Sequence, residues 1–356
     1  MDDVHVIDTA ISFNRSQMTS LESKILGGVY GQALGDAFCM PALLSPQQTR
    51  ARYGAITALI DAPADHPVHA GLTAGKVTDD TEQAMWLARS IIAEGGVTLQ
   101  GAAHAIIGWY DFIDGDHCIF VGPSTRRGVS KIRSGMDLRQ TGLLGDTNGS
   151  AMRVSVVGLI HPGDVEGAAR DAATSAIPTH NTSVGCAAAA AIAGAVAFAL
   201  KPDADLRGIL SASIDAAKIG EQLGVYALGA SVARRIDFAV SLARDEIGST
   251  DDRIQAIYDL IGTSLAASEA VPAAMGVVAL AEGDPVRAAQ LAAQLSGDAD
   301  TIGAMACAVC GAWQGIDAIP HAMIETLRRA NPDYLFDEIA AGLAAIAAGN
   351  MMKPEE

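Results

Sequence analysis

The chain has 356 residues, half of them hydrophobic, and a formal net charge of −17 with Lys+Arg at 24. That length can bury a large core, and so acidic a balance offers no basic field to a nucleic-acid backbone, which excludes nucleic acid as the expected partner. Five scattered cysteines, with no signal-peptide pattern at the start, predict free thiols in a reducing cytoplasm rather than a disulfide framework.

Aromatics make up only 4% of the chain, β-branched alternation is rare, and Ala, Leu, Ile and Gly recur at three- and four-residue spacing, so the chain reads as nearly all helix. Residues 1–18 lack that period and read as a flexible arm, with Met18 a candidate natural start. Leu21 to Ala37 follows as a strong helix. Its Gly27, Gly31 and Gly35 share one face and predict close approach of another helix; no strand precedes them, so they are not a dinucleotide fingerprint. The end of this helix, at Gly35-Asp36, is expected to reach a central cleft. A break from Ala62 to Gly75 leads to Thr78-Asp79-Asp80-Thr81, which opens the next helix. Further breaks fall at Asp114 to Pro123, Gly142 to Gly149, His161 to Asp164, Lys201 to Asp205 and Glu282 to Pro285. Val184 to Leu200 is the most apolar stretch, but it is mostly Ala and reads as a buried helix rather than a membrane span. Gly297-Asp298-Ala299-Asp300-Thr301 then introduces a run of small residues containing Cys307 and Cys310. This C-x-x-C could serve redox or zinc chemistry, but no second pair completes a zinc site and small buried packing residues are the preferred reading. Neither a fixed-period repeat nor a low-complexity linker appears, which predicts one compact helical domain over residues 19–350 and a short tail over 351–356.

The two acidic clusters carry most of the chemistry. Together they supply four carboxylates and several hydroxyls, the hard oxygen donors that Mg²⁺ or Mn²⁺ prefers. Each alone is also how an ordinary helix begins, since Thr or Asp followed by acids caps a helix and suits its dipole. Capping uses one side-chain oxygen, and these clusters hold a surplus. If the fold brings them together they form a two-metal site whose helix N-termini keep the carboxylates ionised.

Five boxes then occur in order: Gly35-Asp36-Ala37 followed by Pro41, Thr78-Asp79-Asp80-Thr81, Asn148-Gly149-Ser150-Ala151-Met152-Arg153, Thr179-His180-Asn181, and Gly297-Asp298-Ala299-Asp300-Thr301. From about Leu21 to Gln314 this pattern resembles the ADP-ribosylglycohydrolase family, which includes the dinitrogenase-reductase-activating glycohydrolases. The resemblance implies an all-α, single orthogonal helical bundle with a central cleft holding two Mg²⁺ or Mn²⁺ ions. It implies Thr78, Asp79, Asp80, Asp298, Asp300 and Thr301 as metal ligands, with Asp79, Asp80 and Asp300 nearest the chemistry. It further implies that Asn148, Gly149, Ser150 and His180 meet the substrate. Asn-Gly is equally a common tight turn, and a lone His is equally a core residue. Asp36 lies at a helix C-terminus, where the dipole disfavours a carboxylate, which implies either a compensating partner such as Arg153 or a supporting place behind the metals; the latter is expected.

In one respect the chain departs from the family. Many members carry a Glu shortly after the Gly-Asp-Ala box, in a Pro-Val-Glu-Phe run, whereas here the run is Pro41-Ala42-Leu43-Leu44 with no acid. Leucine can neither ligate nor transfer a proton, so base work would fall to the remaining aspartates or to metal-bound hydroxide. Three readings follow. One is a metal-dependent hydrolase of ADP-ribosyl groups on a protein or small acceptor, another an N-ribosyl hydrolase of a free nucleoside-like metabolite, and the last a non-catalytic binding member.

Overall fold

The computed structural model describes residues 18–118, 121–245 and 248–352; the expected arm at 1–17 and the tail end at 353–356 lie outside them. The architecture is all-α, with no strand among the described residues beyond two isolated bridges, Thr147 with Ala266 and Thr182 with Val225. Helix starts follow local chemistry. Thr19 and Glu22 form a reciprocal capping box before the first helix, Ser20–Cys39, and Thr98, Asp164, Thr182, Asp205 and Asp284 each accept a backbone N–H from their own first turn.

The glycine face of Ser20–Cys39 packs antiparallel on the helix Ala299–Gln314. A Cβ on Gly35 would lie 1.9 Å from the Gly303 carbonyl oxygen, one on Gly31 2.2 Å from that of Cys307, and one on Gly27 2.3 Å from that of Gly311. The backbones touch because nothing stands between them. This antiparallel register brings Asp36, near the end of one helix, to the start of the other, where Asp298 and Asp300 lie. Beside this pair, the helix Ser183–Ala199 is buried along nearly its whole length and packs between Val165–His180 and Leu206–Leu223. No helix among the described residues is long and apolar enough to cross a membrane.

Cys39, Cys186, Cys307 and Cys310 are buried free thiols and Cys118 is partly exposed. Burial pushes the Cys307 thiol well up and that of Cys310 above the usual range, the opposite of a reactive pair. Native protein treated with a disulfide thiol reagent is therefore expected to react at Cys118 among these five, and at all of them after denaturation; rapid native labelling of Cys307 or Cys310 would contradict the packing reading.

Candidate active site

A cleft of about 740 Å³ opens where these helix ends meet, floored by Asp79, Asp80, Asp298, Asp300 and Thr301. Asp79 and Asp80 begin the helix Asp79–Glu94, and Asp298 and Asp300 lie at the start of Ala299–Gln314. Neither N-cap, Thr78 nor Asp298, caps its own helix with its side chain. Both are used elsewhere. Thr78 Oγ1 donates to Asp36 at 2.8 Å and lies 3.1 Å from Asp80, while Asp298 accepts from the Asn148 amide.

Asp36 replaces the missing cap from a neighbouring helix. Its carboxylate accepts from the Thr78 and Thr81 N–H groups and from both their hydroxyls, at 2.6–3.1 Å. The partner expected from sequence, Arg153, is not involved; the N-terminus of another helix, with its unpaired N–H donors, compensates Asp36 instead. Asp36 thus aims the segment that carries Asp79 and Asp80.

The rest of the Asn148 box is built by backbone pairing. Asn148 N–H donates to the Leu265 carbonyl, Ala267 N–H to that of Asp146, and Asp298 N–H to that of Thr263, so one loop holds the Asn148 turn against the second acidic cluster. Gly297 makes the approach possible: its φ is +74°, and a Cβ there would sit 2.1 Å from Thr263 Oγ1. Asn148 and Gly149 line the cleft, but Ser150 and His180 do not. Ser150 is fully buried and donates to the Gly185 carbonyl, and His180, also fully buried, lies behind the turn against Gly149. Ala42 and Leu44 line the cleft on either side of Leu43, leaving that wall without an acid.

Two histidines and a glutamate in the lining carried no sequence signal. His66 Nδ1 accepts from the Val68 and His69 N–H groups, so its proton is on Nε2 and is donated to the Ala42 carbonyl. His69 stacks on it and places Nε2 2.7 Å from Asp300 Oδ2. Both belong to the segment read only as a break, where no periodicity exists to mark a face. Glu269 reaches the cleft from the first turn of Ala267–Ala281 and accepts from the Ser264 N–H.

The electrostatics reverse one expectation. Burial and the mutual repulsion of the carboxylates, led by Asp300, push Asp79 and Asp80 well above the usual carboxylate range. Burial carries Asp36 and Asp298 to about 7. Without a cation, the helix N-termini do not offset burial and repulsion at Asp79 and Asp80. Asp300 differs: burial would raise it too, but the hydrogen bond and charge of His69 hold it below its ordinary value. The buried Asp80 Oδ1 has no hydrogen-bond partner among the described residues. Among the described residues, no three acidic, His or Cys side chains stand already gathered around one ion position; Asp300 is turned to His69, Asp298 to Asn148 and Asp80 to Thr78. An orphaned carboxylate oxygen in a nest of crowded carboxylates nonetheless fits a hard divalent cation, whose charge would relieve both burial and repulsion.

The family match assigns this helical bundle and its acid-floored cleft to a class of enzymes that hydrolyse glycosidic bonds. The ADP-ribosylglycohydrolase family model matches residues 17–353, and the chain belongs to that family. It is 34% identical to the uncharacterized protein YegU of Escherichia coli (strain K12), over 90% of this chain and 96% of that one. An uncharacterized Archaeoglobus fulgidus protein is 31% identical over 86% and 92% of the respective chains. Human ADP-ribosylhydrolase ARH3 is 29% identical over 49% of this chain and 52% of its own. A solved structure of an ADP-ribosylglycohydrolase-related protein complex, at 22% identity, covers 93% of this chain and all of that one with a TM-score of 0.67, a likeness of fold.

Proposed function

We propose that the chain is a divalent-metal-dependent hydrolase that cleaves the N-glycosidic bond of an ADP-ribosyl group on a protein or small acceptor. The observation that carries this reading is the convergence of four carboxylates, Asp79, Asp80, Asp298 and Asp300, on one cleft, with Asp36 directly behind them and a buried Asp80 oxygen left without a hydrogen-bond partner among the described residues. Asp79, Asp80, Asp298, Asp300 and Thr301 would hold two Mg²⁺ or Mn²⁺ ions from the floor, and Thr78 would act close behind them, its hydroxyl already committed to Asp36. When bound, such ions supply a water of lowered pKa and a template for vicinal hydroxyls. The protein's own part is positional and electrostatic. Asp36 fixes the Asp79 helix start, Asn148 orients Asp298, and His69 orients Asp300. With bound cations to offset their repulsion, the carboxylates would be ionised and would favour the positive charge that develops on the sugar ring as the bond breaks.

The cleft wall at Ala42 and Leu44 supports a second reading, an N-ribosyl hydrolase of a free nucleoside-like metabolite. No acid stands there, and neither Lys nor Arg is among the lining residues to meet a diphosphate. Incubating the metal-loaded protein with ADP-ribosyl-arginine, an ADP-ribosylated protein and a panel of ribonucleosides, with and without EDTA, separates the two by mass spectrometry. EDTA-sensitive release of ADP-ribose supports the first reading; ribose release from nucleosides alone supports the second; turnover insensitive to EDTA overturns the metal site.

His69→Ala tests the role assigned to that side chain. Removing the group that orients a metal-binding carboxylate is expected to weaken Mn²⁺ binding about tenfold, the usual effect of losing a residue that orients a ligand, as read by calorimetry. Unchanged affinity would show that Asp300 needs no help.

A further inference from the structure

Behind the cleft, one buried cation joins the acidic floor to the Asn148 wall. Arg153 is 1% exposed, and no carboxylate lies within ion-pair distance of it among the described residues. Its Nη1 donates to Gln83 Oε1 at 3.0 Å and its Nη2 to Thr179 Oγ1 at 2.8 Å. A guanidinium has donors only, and that fact sets the orientation of the Gln83 amide. Gln83 must turn its carbonyl to Arg153, which leaves its NH₂ to donate to Asp79 Oδ2 at 3.3 Å. Thr179 Oγ1 accepts from Arg153 and lies 2.7 Å from His180 Nδ1. Thr147 Oγ1 donates its one proton to Ser124 Oγ at 3.0 Å, so it accepts from His180 Nε2 at 2.9 Å, and the unprotonated Nδ1 then accepts from the Thr179 hydroxyl. Thr147 lines the cleft beside Asn148.

We infer that Arg153 is a positioning residue for both sides of the site: through Gln83 it orients the Asp79 carboxylate, and through Thr179 and His180 it fixes the His180 tautomer and the direction of the Thr147 hydroxyl. Burial, with Arg153 and Arg127 nearby, also lowers the His180 pKa far enough to keep the ring neutral, as a single tautomer requires. His180 therefore acts from behind the wall as a relay to Thr147, without itself entering the cleft. A lysine would keep the charge but lose the planar fork that reaches Gln83 and Thr179 together.

The Asp79 branch rests on the metal reading above; the His180 branch does not. Long-range ¹H–¹⁵N spectra of the full-length, ¹⁵N-labelled protein, with the His180 signals identified by their loss in His180→Gln, report the tautomer without turnover. Wild-type His180 is expected to be protonated on Nε2 alone. Thr179→Val is expected to release Nδ1 and give a tautomer mixture with Mn²⁺ affinity unchanged. Gln83→Leu is expected to keep the tautomer and weaken Mn²⁺ binding about tenfold by calorimetry, and Arg153→Lys to show both effects. A wild-type Nδ1–H ring, or an unaltered tautomer in Thr179→Val, overturns the His180 branch. Unchanged Mn²⁺ affinity in Gln83→Leu, or wild-type protein that binds no Mn²⁺, overturns the Asp79 branch while the tautomer test stands.

Discussion

Asp80→Asn is expected to lower turnover by more than about 100-fold, since even residues that only orient metal ligands contribute 10- to 100-fold, while raising the melting temperature of the metal-free protein. The two effects share a cause. Asp80 is a buried carboxylate whose neighbours are Asp300, Asp79, Asp36 and Asp298, and both burial and their charges disfavour its ionised form. Asn keeps the shape and removes the charge, so the folded state gains wherever no cation is present to neutralise the cluster. Thermal melts in EDTA and rates with saturating Mg²⁺ check the pair. A variant that is both inactive and less stable in EDTA would mean that Asp80 is a structural carboxylate.

The same crowding sets a pH dependence. Asp36 and Asp298 are raised from an ordinary 3.8 to about 7 in the folded protein. Between those values the folded state holds more protons than the unfolded chain, so stability is fully present below about 4 and is lost as pH rises through about 7. Melting temperature in EDTA is therefore expected to fall from pH 5 to pH 8 by this contribution, and added Mg²⁺ to oppose the fall. A rise over that interval, with and without metal, would contradict the assignment of Asp36 and Asp298 as raised groups.

What the sequence made legible was local. Thr78-Asp79-Asp80-Thr81 and Asp298-Ala299-Asp300-Thr301 stand out because their oxygens are neighbours in the chain, and the glycines at 27, 31 and 35 because a spacing of four marks a helix face. The Leu43 departure was equally plain, as a single residue read within a box. What stayed hidden was set by tertiary pairing. His66 and His69 lie in an aperiodic segment, and only the packed loop brings both to the cleft and turns His69 toward Asp300. Glu269 sits among the first residues of an Ala-rich helix and looks like any first-turn acid. Ser150 and His180 belong to ordered boxes, but order along the chain cannot say which side of a turn faces the cleft. Arg153, offered as one possible partner of Asp36, does not meet it, because the N–H donors of another helix that do so carry no mark in the sequence.

Gly35→Ala is expected to be the most damaging single-methyl change in the chain. The added Cβ would lie 1.9 Å from the Gly303 carbonyl oxygen and 2.6 Å from the Ala304 nitrogen, both backbone atoms that cannot rotate aside. Relief requires moving one helix away from the other. Overpacking of this kind costs about 1–3 kcal/mol, and more where backbone must shift, and the small gain in helix propensity from Gly to Ala, about 1 kcal/mol, does not offset it. The displacement would fall next to Asp36, which holds the Asp79 helix start, and opposite the turn that carries Asp300. Activity should therefore drop more than the loss of stability alone explains, at a temperature where the variant is still folded. Gly349→Ala, at a position with nothing within 4 Å of the added Cβ, is the control and is expected to be neutral or slightly stabilising. If Gly35→Ala melts with wild-type cooperativity and temperature, the two helices are not held at backbone contact, and the route by which their packing sets the cleft floor fails with it.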